Sequence, residues 1–133
     1  MGILYNVEEI VNISLDEFMG NQKYYLGEFE EIVLLAIIRL KGNAYGVALR
    51  RLIEEETGRG TSIGAVYTTL ERLEKKRYVR SRQGEATAER GGRAKRYFRI
   101  EGAGVAALNE TNEIRARMWS GIAPELDPIS GAV

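Results

Sequence analysis

The chain has 133 residues, 44% of them apolar, with nineteen basic and nineteen acidic groups, which bounds it to one domain with a true core. It has neither Cys nor His, which excludes disulfides, thiol nucleophiles, Ser–His–Asp triads and almost every zinc site. The zero net charge divides unevenly: residues 1–38 hold one Lys against seven acids, residues 39–99 sixteen Lys/Arg against seven, and residues 100–133 two against five. A basic middle between acidic ends points to a polyanion-binding module. No pair of carboxylates stands at a spacing that asks for enzymatic chemistry, so neither an enzyme nor a metal or other cofactor is expected.

Residues 1–25 form an N-terminal extension. Val7, Ile10, Val11, Leu15 and Phe18 make a helical stripe, and Asn6 with Glu9 has the form of a capping box. Ile10–Leu15 also suits a strand, and a chain start at Met19 is an equal alternative for residues 1–18. The acids Glu8, Glu9, Asp16 and Glu17 make this no secretion signal.

Leu26–Leu40 (LGEFEEIVLLAIIRL) is a helix whose core stripe is Phe29, Ile32, Val33, Ala36 and Leu40. Leu35 and Ile37 make it apolar nearly all round, so one side is expected to face a second subunit. Its apolar run, Ile32–Ile38, is far short of the ~20 residues of a membrane span, and the cytoplasm is expected. Lys41–Asn43 is a turn. A second helix spans Tyr45–Thr57, with Ala48, Leu49, Leu52 and Ile53 inward and Gly58 as a left-handed stop.

The third helix follows Thr61 or Ser62 as its N-cap. Ile63, Val66, Leu70 and Leu73 form its apolar stripe, and Gly64, Ala65, Thr68, Arg72 and Lys75 fall opposite. That outward face is small at its start and basic at its end, as suits a helix lying in a major groove. Ser62, Gly64, Tyr67, Thr68, Thr69, Arg72 and Lys75 are its candidate DNA contacts. Thr68, Thr69 and Arg72 suit base edges, because Arg fits guanine O6/N7 and a Thr methyl fits thymine. Tyr67 is assigned to a backbone phosphate, with a core-packing tyrosine as the open alternative.

Two strands follow, Tyr78–Gln83 and Ala94–Ile100, joined by a loop rich in glycine and charge. In the second, Phe98 and Ile100 alternate with Tyr97 and Arg99, so one side covers a core. Arg90, Arg93, Lys95 and Arg96 surround Gly91 and Gly92 and are candidate phosphate contacts. An edge hairpin using cations against aggregation is the plainer alternative. Glu101–Ile122 is a last helix, with Ala107, Ile114, Met118 and Trp119 as candidate dimer contacts beside Leu35 and Ile37. Met118 and Trp119 could also line a pocket for a flat aromatic effector. Residues 123–133, with Pro124 and Pro128, are expected to be a disordered tail.

The expected fold is mostly α with a small β-hairpin wing: a winged helix-turn-helix over 26–100, then a dimerisation helix over 101–122. LGEFEEIVLLAIIRL, AYGVALRRLIEE, SIGAVYTTLERLEKKRYV and GGRAKRYFRI resemble, in order and over residues 24–108, the PadR family of bacterial winged-helix repressors. The resemblance implies a homodimer joined largely through the C-terminal helix. It also implies repression at a palindromic operator in double-stranded DNA and release by a small, often aromatic molecule. The chain lacks the long C-terminal domain of larger members and so resembles the short subgroup. Two positions depart from the pattern: Thr68 stands where many members carry proline, and Glu101-Gly102-Ala103-Gly104 replaces Thr-Pro-x-Gly. The first bears on base preference, and the second is expected to loosen the start of the last helix. A winged-helix module that binds protein rather than DNA is the alternative function.

Overall fold

The computed structural model describes residues 25–85 and 94–126. The N-terminal stripe and capping box, the wing arginines Arg90 and Arg93, and the tail beyond Leu126 lie outside the described residues.

Helix α1 spans Glu28–Leu40, and a single 3-10 turn over Lys41–Asn43 leads to α2, Gly46–Thr57. Helix α3 is Ile63–Lys75, strands β1 and β2 are Val79–Gln83 and Arg96–Ile100, α4 is Gly102–Trp119 and α5 is Ala123–Leu126. Three acids occupy the first turn of α1, where the helix dipole favours them. One of them, Glu30, accepts the N–H of the N-cap Gly27 at 2.9 Å. Gly58 closes α2 at φ 71°, its N–H bonded to the Glu54 carbonyl. Ser62 Oγ accepts the Ala65 N–H at 3.0 Å and opens α3.

The other end of α3 is a Schellman turn. The Tyr78 N–H reaches the Leu73 carbonyl and the Arg77 N–H reaches that of Glu74, both at 2.9 Å. Arg77 takes the left-handed position of that turn, at φ 64°, where a side chain costs about 1–2 kcal/mol. Arg77→Gly is therefore expected to raise stability, by about 0.5–1 kcal/mol once the extra chain entropy of glycine is subtracted. Thermal melts check this, and a lower midpoint would mean that the Arg77 side chain holds something glycine cannot replace.

The strands pair antiparallel in the register Val79↔Ile100 to Gln83↔Arg96. Ala44 accepts the Phe98 N–H at 2.8 Å, and Tyr45 bridges Tyr97, so the turn before α2 acts as a vestigial third strand. Helices α1, α2 and α3 pack on one another. Val33, Leu34, Ile37, Leu49, Val66, Leu70, Leu73, Tyr78 and Phe98 are buried between these elements. Each such side chain contributes about 1.5–3 kcal/mol by leaving water. Glu30 is buried with them, and its carboxylate accepts from Lys76 Nζ at 2.9 and 3.1 Å, pinning the C-terminal end of α3 to α1.

Five expectations change in this fold. The inward face of α1 is centred on Val33, Leu34 and Ile37, while Phe29, Ile32 and Leu40 are half-buried. Ile37, expected at a dimer surface, is 2% exposed and belongs to the chain's own core, because α1 packs on α2, α3, β2 and α4 at once. Ala107, another expected dimer contact, is fully buried where α4 returns onto its own domain beside Leu108. Residues 123–126 form a short helix rather than disordered chain, with Pro124 in the first turn, where its missing N–H has no helical partner to lose.

The start of α4 is tight rather than loose. Glu101 N–H bonds the Tyr78 carbonyl at 2.8 Å, and Gly104 is buried against that same carbonyl and the Ile100 side chain.

Candidate nucleic-acid interface

Helix α3 exposes Gly64, Ala65, Thr68, Arg72 and Lys75. Arg72 lies one turn beyond Thr68 on the same face. Arg72 and Lys75 have no carboxylate partner among the described residues, and their charges remain free for a ligand. Thr69 does not share that face. It is 5% exposed among Val66, Leu70 and Leu73, which removes it from the base-edge contacts. Ile63, expected inward, is exposed at the first turn.

Tyr67 is 39% exposed, and its ring tip lies over Gly46 at the start of α2, where a Cβ would overlap the phenol end. It is therefore both packed and accessible. The obstacle to a Cβ at position 46 is the tip of a side chain that can swing outward. Gly46→Ala should cost the fold no more than about 1 kcal/mol, roughly 4–8 °C of melting midpoint. It should, however, displace the hydroxyl and weaken duplex binding two- to tenfold, the effect of one lost hydrogen bond of about 0.5–1.5 kcal/mol. Melting curves and fluorescence anisotropy on the same variant separate the two effects. A larger fall in midpoint would mean that Tyr67 is locked in place.

The hairpin has two unlike faces. Val79, Ser81, Arg96, Phe98 and Ile100 share the inner one. Arg96, expected on phosphate, donates to Glu74 Oε1 of α3 at 2.7 Å and to Ser81 Oγ at 3.1 Å, and Ser81 donates in turn to Glu74 Oε2 at 2.7 Å. Its charge is already matched, so it locks the wing to α3 instead of presenting a free cation. Lys95 sits 3.8 Å from the Tyr45 ring centroid and keeps its charge available. Arg80 and Arg82, which the sequence reading passed over, lie on the outer face with Tyr97 and Arg99. The two-residue alternation of VRSRQ was the signal that could have found them.

Helix α4 is bound to the domain along Gly104, Ala107, Leu108 and Thr111, and Arg115 ties it to Glu31 of α1 at 2.7 Å. Ile114 is half-buried at the end of this contact. Beyond it, Met118 and Trp119 are 73% and 59% exposed, and on α1 Leu35 and Ile38 are also exposed. Among the described residues no group of three or more acids could hold a metal ion, and no helix is long and apolar enough to cross a membrane.

A helix-turn-helix whose basic outer face has no carboxylate partner among the described residues, locked to a hairpin wing, has the architecture of a DNA-binding module. The chain belongs to the PadR-like family of transcriptional regulators, whose family model matches residues 34–110. Among solved structures, it is similar to a transcriptional regulator from Clostridium thermocellum, at 25% identity over 70% of this chain and 87% of that one, with a TM-score of 0.57. It shares its fold with PadR family regulators from Clostridium difficile and Eggerthella lenta. The first is 20% identical over 74% of this chain and 97% of that one, with a TM-score of 0.54. The second is 18% identical over 92% and 98%, with a TM-score of 0.56. Among curated proteins, none matches the chain in sequence.

Proposed function

We propose that the chain is a homodimeric repressor that binds a pseudo-palindromic operator through α3 and is released by a flat aromatic molecule. The observation that carries DNA reading by α3 is the Thr68–Arg72–Lys75 stripe, exposed and without a carboxylate partner among the described residues. Thr68 and Arg72 face base edges, Tyr67, Ser62 and Gly64 lie beside the backbone, and Lys75, Lys95, Arg90 and Arg93 neutralise phosphates.

The dimer reading is supported by the exposed apolar end of α4, Met118 and Trp119, together with Leu35 and Ile38 on α1 and Ile114 at the contact's edge. These groups gain by leaving water in a closed two-fold pair. The half-sites then lie about one helical turn, near 34 Å, apart. An aromatic effector stacked on Trp119 must favour a subunit spacing unsuited to the groove, because equal affinity for both states shifts nothing.

The test is selection of bound sequences from random duplex DNA, with sedimentation of the protein at micromolar concentration. A palindrome recovered by a dimer supports the proposal. A monomer, or a pool without enrichment, removes it. Aromatic compounds that quench Trp119 yet leave operator affinity unchanged would remove the effector alone.

A further inference from the structure

Helix α3 presents one acid in the middle of its outward face. Gly64, Thr68, Glu71 and Lys75 are all exposed, and intervals of four, three and four residues stack them along one line of the helix. The buried arc is Val66, Thr69, Leu70 and Leu73. At about 100° per residue, Glu71 lies about 150° from the middle of that arc and Arg72 about 110°. The carboxylate therefore stands nearer the centre of the outward face than the guanidinium beside it.

Glu71 also keeps its charge unmatched. Glu74, the other acid of α3, is held by Arg96 and Ser81. Lys75 stands four residues beyond Glu71, in the order that favours an i,i+4 pair. Even so, Glu71 has no ion pair or hydrogen bond among the described residues.

A free carboxylate here opposes binding to a polyanion unless it meets a donor. It repels each phosphate it approaches, and guanine and thymine offer it no donor in the major groove. Two bases do present an amino group there, cytosine at N4 and adenine at N6. Adenine sets its N7 acceptor beside that group, whereas cytosine presents N4 without one. The acid therefore suits cytosine. Small residues precede it, Gly64, Ala65 and Thr68, so the first turns of α3 can approach the base edges closely. That brings a side chain of glutamate's length within reach of an amino group.

We propose that Glu71 is a specificity-determining residue, which accepts from the N4 amino group of a cytosine in each half-site and turns away sequences that lack one. The proposal rests on the DNA-binding reading and adds a repulsive element to it: Thr68 and Arg72 attract, and Glu71 excludes. Specificity is a difference of affinities, so repulsion from the wrong sequence widens it as a contact with the right one does.

The test is selection from random duplex DNA with the full chain, with Glu71→Gln and with Glu71→Ala, plus the affinity of each for a mixed-sequence duplex. Wild type should enrich a C·G pair at one position of each half-site, where replacement by T·A weakens binding about 5- to 150-fold. Glu71→Gln should move that preference to A·T, because glutamine pairs with adenine N6 and N7. Glu71→Ala should leave the position without preference. Both variants should bind the mixed-sequence duplex about two- to threefold more tightly per subunit, through loss of one repelling charge. Their melting midpoints should match wild type, since the side chain is exposed, which separates reading from folding. Tighter binding to mixed sequence with unchanged selected sequences would make Glu71 a general repulsive charge, and overturns the proposal. So does a changed position that holds an A·T or T·A pair in the wild-type selection. A wild-type chain that enriches no sequence removes the DNA-binding reading itself, before either variant is compared.

Discussion

Gly104→Ala should cost about 1–2 kcal/mol, while Gly102→Ala, two residues earlier in the same helix, should be neutral or gain up to about 0.5 kcal/mol. A Cβ on Gly104 would overlap the Tyr78 carbonyl oxygen and come within 2.7 Å of Ile100 Cγ1. That carbonyl cannot retreat easily. It accepts the Glu101 N–H at 2.8 Å and belongs to the residue that closes α3. Overfilling against fixed backbone costs about 1–3 kcal/mol or more, and the helix preference of alanine returns at most about 1. Gly102 has nothing within 4 Å of its Cβ position. Calorimetric melts of the two variants make the comparison, with roughly a 10 °C fall expected for Gly104→Ala. Equal losses in both would mean that α4 needs a flexible start; no loss in Gly104→Ala would mean that α4 can lift off the hairpin at little cost.

The same pair of glycines shows where sequence reasoning stops. Both stand in a run that looks like a loose helix start, and which one is crowded depends on Tyr78, 26 positions before Gly104. Where one face of an element is buried and the other wet, residue spacing was enough. Val66, Leu70 and Leu73 were separated correctly from Thr68, Arg72 and Lys75. Gly58 was recognised as a helix end, and the N-cap of α3 was narrowed to Thr61 or Ser62, because those roles are local. Helix α1 defeated the same rule. Apolar nearly all round, it shows no single inward face, and only the elements packed on it decide that Ile37 is core and Leu35 surface.

Thr69 and Arg96 are different, because periodicity did carry a signal for them. Thr69 lies next to Leu70 on the inward arc of α3, and Arg96 shares the two-residue period of Phe98 and Ile100. Both were assigned by residue type instead. The partner that holds Arg96, Glu74, is 22 residues away, a pairing no local pattern shows. The surface on the outer hairpin face is legible only in part for the same reason: alternation groups Arg80 with Arg82, but Lys41 and Tyr45 join them through the fold.

Arg72→Ala should weaken operator binding by about 1–3 kcal/mol per half-site, roughly 5- to 150-fold, while leaving random duplex DNA nearly unaffected. The argument is rigidity. Helix α3 is capped at its start by Ser62, closed at its end by the Schellman turn, and pinned to α1 by Glu30–Lys76 and to the wing by Glu74–Arg96. A guanidinium on such a helix can hold a fixed bidentate geometry, and that is what discriminates one base from another. Lys75 is a point charge on a flexible stem, and Lys95, seated over the Tyr45 ring, offers a compact ammonium without a planar fork. Lys75→Ala or Lys95→Ala should lower operator and random DNA by similar factors, each reducing the salt slope by about one per subunit. The comparison needs both DNAs at several salt concentrations, because a single affinity cannot tell a lost base contact from a lost phosphate contact. If Arg72→Ala lowers both affinities equally, Arg72 touches phosphate and base discrimination lies elsewhere, with Thr68 or in the bending of the DNA. If none of the three variants changes DNA binding, α3 is not the reading element, and the exposed basic stripe from Thr68 to Lys75 must answer to a different partner.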